Sequence, residues 1–192
     1  MRKTLLTLLT LGVTSTALAQ MNHAGMNHTL ASTSTQTGMT MDLSALGGLT
    51  GKAFDRAFLS MMIPHHQAAV AMSQAVLGTR DAKVKAWATT IIKDQNREIA
   101  QMNTLLKSYG GADSKMAGMM KSMMGDMASS VKSASNKDRA FVQGMIPHHA
   151  SAIDMANLAL QKSQNLSVLG LARDITRAQA GEIYEFKAYL LR

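Results

Sequence analysis

Three kinds of residue are scarce in this 192-residue chain. There is no cysteine, which excludes disulfides, thiolate zinc sites, iron–sulfur clusters and cysteine nucleophiles. With only 2 prolines and 4% aromatic residues, a β-sandwich of aromatic and β-branched strands is not expected. Hydrophobic residues make up 46% of the chain and include 17 methionines, enough to form the core of an all-α domain. Since thiolates are absent, any soft metal ion would have to be held by methionine and histidine.

The beginning of the chain predicts a secretory signal peptide. Arg2 and Lys3 precede an apolar run over residues 5–13, and small residues lead to a cleavage point before Gln20. Residues 1–19 are therefore interpreted as the signal peptide, and we expect the mature protein in the periplasm or outside the cell. No later window contains the roughly 18 uncharged apolar residues of a membrane span.

The net charge of +8 is spread along the chain. Nucleic-acid binding would need a basic stripe with interleaved aromatic residues, and the sequence has neither. Nucleic acid is therefore not an expected partner.

Residues 20–50 lack a helical period and are rich in Thr, Ser, Gly and Asn, which predicts a flexible N-terminal arm. The arm contains the triplet Met-Asn-His twice, five residues apart. We interpret the repeat as a weak, fast-exchanging copper site. The alternative is that these side chains are solvated and bind nothing. The candidate ligands are Met21, His23, Met26 and His28.

An internal duplication organises the rest of the chain. Asp-Arg-Ala-Phe at 55–58 and Met-Ile-Pro-His-His at 62–66 recur 83 residues later, at 138–141 and 145–149. In each copy the apolar residues keep helical spacing, first over one helix and then, after a turn, over a second. Two such hairpins bury their stripes most simply by packing face to face, so residues 51–192 predict a four-helix bundle.

Between the two copies lies a segment in which methionine recurs at helical spacing. It predicts a connecting helix with one thioether face, which either packs on the bundle or gathers Cu(I). Its methionines are Met116, Met119, Met120, Met123, Met124 and Met127.

The buried stripes contain polar residues that a core would not favour. At about 100° per residue, His65 and His66 lie on either side of Met62, and the second copy repeats this arrangement. An unpartnered polar group buried there would cost about 2–7 kcal/mol, so each needs a partner. Imidazole and thioether ligands without thiolate suit copper, and silver can act as a mimic of Cu(I). The alternative is a buried His–Glu hydrogen-bond network that binds no metal ion. The equivalent residues of the second copy are Met145, His148 and His149.

Two glutamates and two prolines lie near the histidines. Glu98 and Glu182 are interpreted as direct metal ligands or, preferably, as acceptors of the second ring N–H of a ligating histidine. Pro64 and Pro147 lack an amide hydrogen, so we expect a helix to start or kink at each.

The duplicated Met-Ile-Pro-His-His, the methionine six residues after it and the Gln-x-x-Glu-Ile of each second helix resemble the DUF305 family of exported bacterial proteins. The resemblance covers about residues 52–191. It implies a ferritin-like four-helix bundle and a role in copper binding and resistance. Phe186 departs from the pattern, since the first copy has Met102 there. The resemblance implies these ligands: Met62, His65, His66, Met72, Glu98, Met102, Met145, His148, His149, Met155 and Glu182.

The sequence therefore favours a non-enzymatic protein that sequesters or transfers Cu(I) or Cu(II) and has no catalytic residues. Other periplasmic copper-handling proteins are the expected partners. One alternative is a ferritin-like metal-dependent oxidase, but that chemistry needs Glu-x-x-His on two helices, and this motif does not occur. Another is a structural helical bundle that binds no metal.

Overall fold

The structure is a computed structural model that describes residues 43–192. These residues form helices and no strand. None of the helices is both long and apolar enough to span a membrane. The helices are α1 (Ser44–Gly47), α2 (Gly51–Gln74), α3 (Ala82–Ser108), α4 (Ser114–Met124), α5 (Met127–Ser133), α6 (Lys137–Lys162) and α7 (Leu166–Leu190).

The four long helices form the two predicted hairpins. α2 packs on α3 and α6 packs on α7, while α2 and α6 pack on each other in the centre. Side-chain caps start three of these helices: Asp81 accepts from backbone amides of α3, Asn136 from α6 and Asn165 from α7. The all-α four-helix bundle predicted from the duplication is confirmed.

Tyrosine hydrogen bonds join the hairpins at both ends of the bundle. The Tyr109 hydroxyl donates to Asp55 on α2 and accepts from the Asn165 side chain at the start of α7. At the opposite end, the hydroxyl of Tyr189 on α7 donates to Asp81 at the start of α3. These contacts fix the hairpins relative to each other and so fix the side chains between them.

The methionine-rich connector differs from the expected single helix. It forms α4 and α5, separated by Gly125, whose φ of +52° favours glycine, and by Asp126, which caps α5. α4 packs on α2, and α5 packs on α2 and α6. The connector is thus folded onto the bundle.

Neither proline starts a helix. Pro64 lies inside α2 and Pro147 inside α6. The predicted alternative of a helix start is therefore wrong, because the turns before each proline carry buried side chains such as Phe58 and Phe141 that keep those turns on the core.

The predicted signal peptide (1–19) and the arm ligands Met21, His23, Met26 and His28 lie outside the described residues. The last part of the predicted arm, residues 43–50, is described and includes α1. Leu46 of α1 is fully buried against the core, because its side chain joins the same apolar cluster as Phe54. These residues therefore belong with the bundle.

Candidate metal centre

The core consists of two apolar clusters at different levels of the bundle. We call the first, which contains seven buried methionines, the methionine-rich cluster. We call the second, which contains Phe186 and two buried methionines, the Phe186 cluster. The buried methionines of the first are Met61, Met62, Met102, Met116, Met120, Met124 and Met155. Those of the second are Met72 and Met145.

A polar layer separates the two clusters. On each long helix, the residues of one cluster are followed by two polar residues and then by residues of the other cluster. The duplication explains the pattern, because it places the same polar pair at the same level of both hairpins. We call these residues the polar layer: His65, His66, Gln95, Glu98, His148, His149, Gln179 and Glu182.

His65 and His148 face each other at the α2–α6 contact, with ring centroids 3.9 Å apart. The Nε2 atom of His148 lies 3.0 Å from the carbonyl oxygen of His65. The Nε2 atom of His65 lies 2.8 Å from the hydroxyl of Ser151, and that hydroxyl donates to the carbonyl oxygen of His148. Each histidine is therefore tied to the opposite helix or to a side chain on it.

These contacts determine which ring nitrogen carries the hydrogen. A carbonyl oxygen only accepts, so His148 must donate from Nε2. The Ser151 hydroxyl already donates its hydrogen to the His148 carbonyl oxygen and can only accept from His65. His65 must therefore also donate from Nε2. In a neutral imidazole the other nitrogen then holds a lone pair, and the Nδ1 atoms of both rings are buried without a hydrogen-bond partner. Two nitrogen lone pairs are thus left without a hydrogen-bond partner at the buried contact between α2 and α6.

Burial keeps both rings neutral. Desolvation lowers the pKa of His65 well below its ordinary value, and the neighbouring His148, His66 and His149 lower it further. Desolvation likewise lowers the pKa of His148, and His149 adds to the effect. A histidine must be neutral to bind a metal ion, so both rings are in the binding-competent form at neutral pH.

The flanking histidines face the glutamates. The Nε2 atom of His66 lies 2.6 Å from Glu98 Oε2 in a hydrogen bond, and Nε2 of His149 lies 2.7 Å from Glu182 Oε2 without hydrogen-bond geometry. The Glu98 side chain is 10% exposed and that of Glu182 is 23% exposed, so the first pair is the drier. The Nδ1 atoms of His66 and His149 also have no partner. A carboxylate in this position can orient the ring and leave Nδ1 free.

The predicted thioether ligands divide between the two apolar clusters. Met62, Met102 and Met155 lie in the methionine-rich cluster, whereas Met72 and Met145 lie in the Phe186 cluster. Phe186 itself is fully buried at the place of Met102 in the second copy, 5.6 Å from the His149 ring. The two sides of the polar layer therefore offer different donor sets.

Sequence reasoning missed Ser151. Its position in the first copy is occupied by Ala68, so the duplication did not draw attention to it. The available signal was its spacing, because a hydroxyl three residues after His148 on an α-helix can reach the carbonyl of that turn.

Within residues 43–192, histidines and carboxylates alone do not form a group of three or more that would hold a metal ion. The layer brings His65 to His148 and pairs each remaining histidine with one glutamate. Thioethers in the two adjoining clusters are the further soft donors near the layer.

Comparison with known structures gives the same architecture. CopM, solved in Cu(I)-bound, Cu(II)-bound and Ag-bound forms, is 31–32% identical, with TM-scores of 0.60–0.62 over 70% of this chain and 93–95% of CopM. A putative secreted DUF305 protein from Streptomyces coelicolor is 23% identical, with a TM-score of 0.64 over 71% of this chain and 91% of that one. The second likeness shows the fold alone.

Sequence comparisons agree. A 53-residue segment is 43% identical to the uncharacterized protein L153 of Acanthamoeba polyphaga mimivirus and spans 27% of this chain and 35% of that protein. The profile of DUF305, a domain of unknown function, matches residues 2–106 and 107–190, so each match contains one copy of the duplication. The chain belongs to the DUF305 family.

Proposed function

We propose that this protein binds copper outside the cytoplasm and sequesters or transfers it without catalysing a reaction. The observation that carries the proposal is the pair of unpartnered Nδ1 atoms on His65 and His148. Both rings have already committed Nε2 to oxygen acceptors, and both are neutral. Leaving such acceptors buried without a partner costs free energy, which a bound ion would offset.

The donor chemistry favours copper over other common ions. Imidazole and thioether are soft or borderline donors that suit Cu(I), and imidazole with carboxylate suits Cu(II). Both sets are present at the polar layer, since Met62 and Met102 adjoin it in the methionine-rich cluster and Glu98 within it pairs with His66. The copper-bound and silver-bound forms of CopM support the same cargo.

The ligands that we propose are those predicted from the sequence in both copies. His65 and His148 would bind through Nδ1, and Glu98 and Glu182 would orient His66 and His149. The predicted signal peptide supports export, and copper homeostasis or resistance is the corresponding role. Delivery would then involve other copper-handling proteins of the same compartment.

Competition with a chromogenic Cu(I) chelator under anaerobic, reducing conditions tests the proposal. The purified chain is compared with His65→Gln/His148→Gln and with a control, His23→Ala/His28→Ala, that removes the same number of histidines from the arm. We expect the layer variant to lose the tightest Cu(I) equivalent and the arm variant to retain it. Equal affinity of all three proteins would refute the proposal, and circular dichroism checks that each one folds.

A further inference from the structure

Helix α4 has an unusual composition for a helix that contributes to a core. Five of its eleven residues are methionine, in the sequence SKMAGMMKSMM, and it has no Leu, Ile, Val or Phe. Met116, Met120 and Met124 are buried. Core helices normally rely on Leu, Ile and Val, whose rotamers are well defined, and use methionine to fill irregular gaps. Packing alone therefore does not account for α4.

Hydrogen bonds hold the start of α4 in place on α2. The backbone amide of Asp113 donates to the Ser60 hydroxyl at 2.8 Å. The Arg56 side chain donates to the carbonyl oxygens of Gly111 at 2.8 Å and Ala112 at 2.9 Å. α4 is thus fixed against the part of α2 that precedes the polar layer.

The thioethers of α4 continue into those beside the polar layer. Met116, Met120 and Met124 belong to the same contiguous cluster as Met62 and Met102, the predicted ligands on that side. The Phe186 cluster, on the other side, relies mainly on Val, Ile, Ala and Phe. Methionine is therefore concentrated between α4 and one side of the polar layer.

The outer edge of α4 reaches solvent. Met119 and Met123 are only partly buried, and each lies three or four positions from Met116 or Met120. Residues at this spacing are neighbours on a helix surface, with Cβ atoms about 5–6 Å apart. The four histidines of the polar layer, in contrast, are fully buried. An ion needs a path to them, and thioethers are ligands that the soft ion Cu(I) prefers.

We propose that α4 is a second soft-metal site, at which Met116, Met119, Met120 and Met123 capture Cu(I) and pass it to the polar layer. Capture by α4 is independent of the histidines, whereas the transfer step rests on the proposed function. The ligand class is a monovalent soft cation, and Ag(I) serves as its redox-inactive probe.

The test is a titration of the full chain, labelled with [methyl-¹³C]methionine, with Ag(I). Each methyl signal is assigned by a single Met→Leu substitution, which keeps volume and apolarity. Two variants are compared with the unmodified chain: His65→Gln/His148→Gln, and Met116→Leu/Met119→Leu/Met120→Leu/Met123→Leu. If the fourfold α4 variant does not fold, it is replaced by Met119→Leu/Met123→Leu, which changes only partly exposed residues.

We expect Ag(I) to shift the α4 methyl signals in the unmodified chain and in the histidine variant. We expect the α4 variant to lose that binding and to show delayed shifts of the Met62 and Met102 signals. Unshifted α4 signals in the unmodified chain, or α4 shifts that vanish in the histidine variant, would overturn the proposal. If the α4 signals shift but the Met62 and Met102 signals never respond, the α4 site stands and the proposed polar-layer site fails.

Discussion

His148 donates a hydrogen bond from Nε2 to the backbone carbonyl oxygen of His65, 3.0 Å away on the neighbouring helix. This bond fixes the His148 tautomer and leaves Nδ1 as a bare acceptor. Ser151 does the same for His65. The two rings that the duplication brings together therefore offer the same nitrogen.

Folding stability of the metal-free chain should decrease as pH falls below about 6.5, the ordinary pKa of histidine. Folding lowers the pKa of His65 and His148, so between pH 6.5 and that lower pKa the unfolded chain binds protons that the folded chain does not. Two such groups give a slope of about 2.7 kcal/mol per pH unit. The lowered pKa of Asp81 affects folding stability only near and below pH 3.8, its ordinary pKa. Urea unfolding curves recorded with a chelator present, about one every half pH unit between roughly pH 7 and 5, measure the slope.

The matched variant for this measurement is His65→Gln/His148→Gln, in which most of the slope should disappear. An unchanged free energy of unfolding between neutral and mildly acidic pH in the unmodified chain would contradict the burial argument.

Ser151→Ala should lower both stability and metal affinity. The substitution leaves the buried Nε2–H of His65 without its acceptor, which costs about 1–3 kcal/mol. Loss of a group that orients a ligand typically weakens metal binding by about 10–100-fold. Ser151→Thr keeps the hydroxyl and should recover much of the affinity, whereas Ser167→Ala, on the exposed side of α7, should change neither property. Chelator competition and thermal melts measure the two effects. Wild-type affinity in Ser151→Ala would remove this residue from the account.

Glu98→Gln should weaken copper binding more than Glu182→Gln does. The Glu98 carboxylate is the more buried of the two and makes a true hydrogen bond to its histidine, so its charge is less screened by water. We expect a loss of about 10–100-fold for Glu98→Gln. Titration of the two single variants side by side gives the comparison, and the reverse order would show that burial does not rank these pairs.

Phe186→Met should add a soft-metal donor to the second side of the polar layer. Phe186 replaces the thioether that Met102 provides in the first copy, and it lies 5.6 Å from His149. The variant loses the edge-to-face ring contacts that Phe186 makes with Trp87 and Phe141, each of which stabilises the fold by about 0.5–1.5 kcal/mol. Ag(I) stoichiometry should nevertheless rise, and the reciprocal Met102→Phe should lower it. If neither changes, the asymmetry at this position does not govern metal binding.

Much of the fold could be predicted from the sequence because the duplication repeats a strong pattern. Two copies of Met-Ile-Pro-His-His at helical spacing indicated the hairpins and placed His65 and His148 at the same level. The division of the connector into α4 and α5 could not be predicted, since it depends on the backbone conformation of Gly125. The predicted helix start at each proline was also wrong, because packing of α2 and α6 overrides the local tendency of proline to start a helix.

The tautomers of the site could not be predicted either. They depend on a backbone carbonyl of the opposite helix and on Ser151, and neither belongs to the repeated motif. Local spacing places side chains on a face, but the donor and acceptor across the α2–α6 contact are set only when the two helices pack.

The most direct test is ¹⁵N NMR of the histidine rings through long-range couplings, before and after addition of Cu(I). For the metal-free chain we predict the Nε2–H tautomer at both His65 and His148, followed by a large shift of their Nδ1 signals when Cu(I) binds. An Nδ1–H tautomer at either ring, or Nδ1 signals that do not move when Cu(I) is added, would contradict the account.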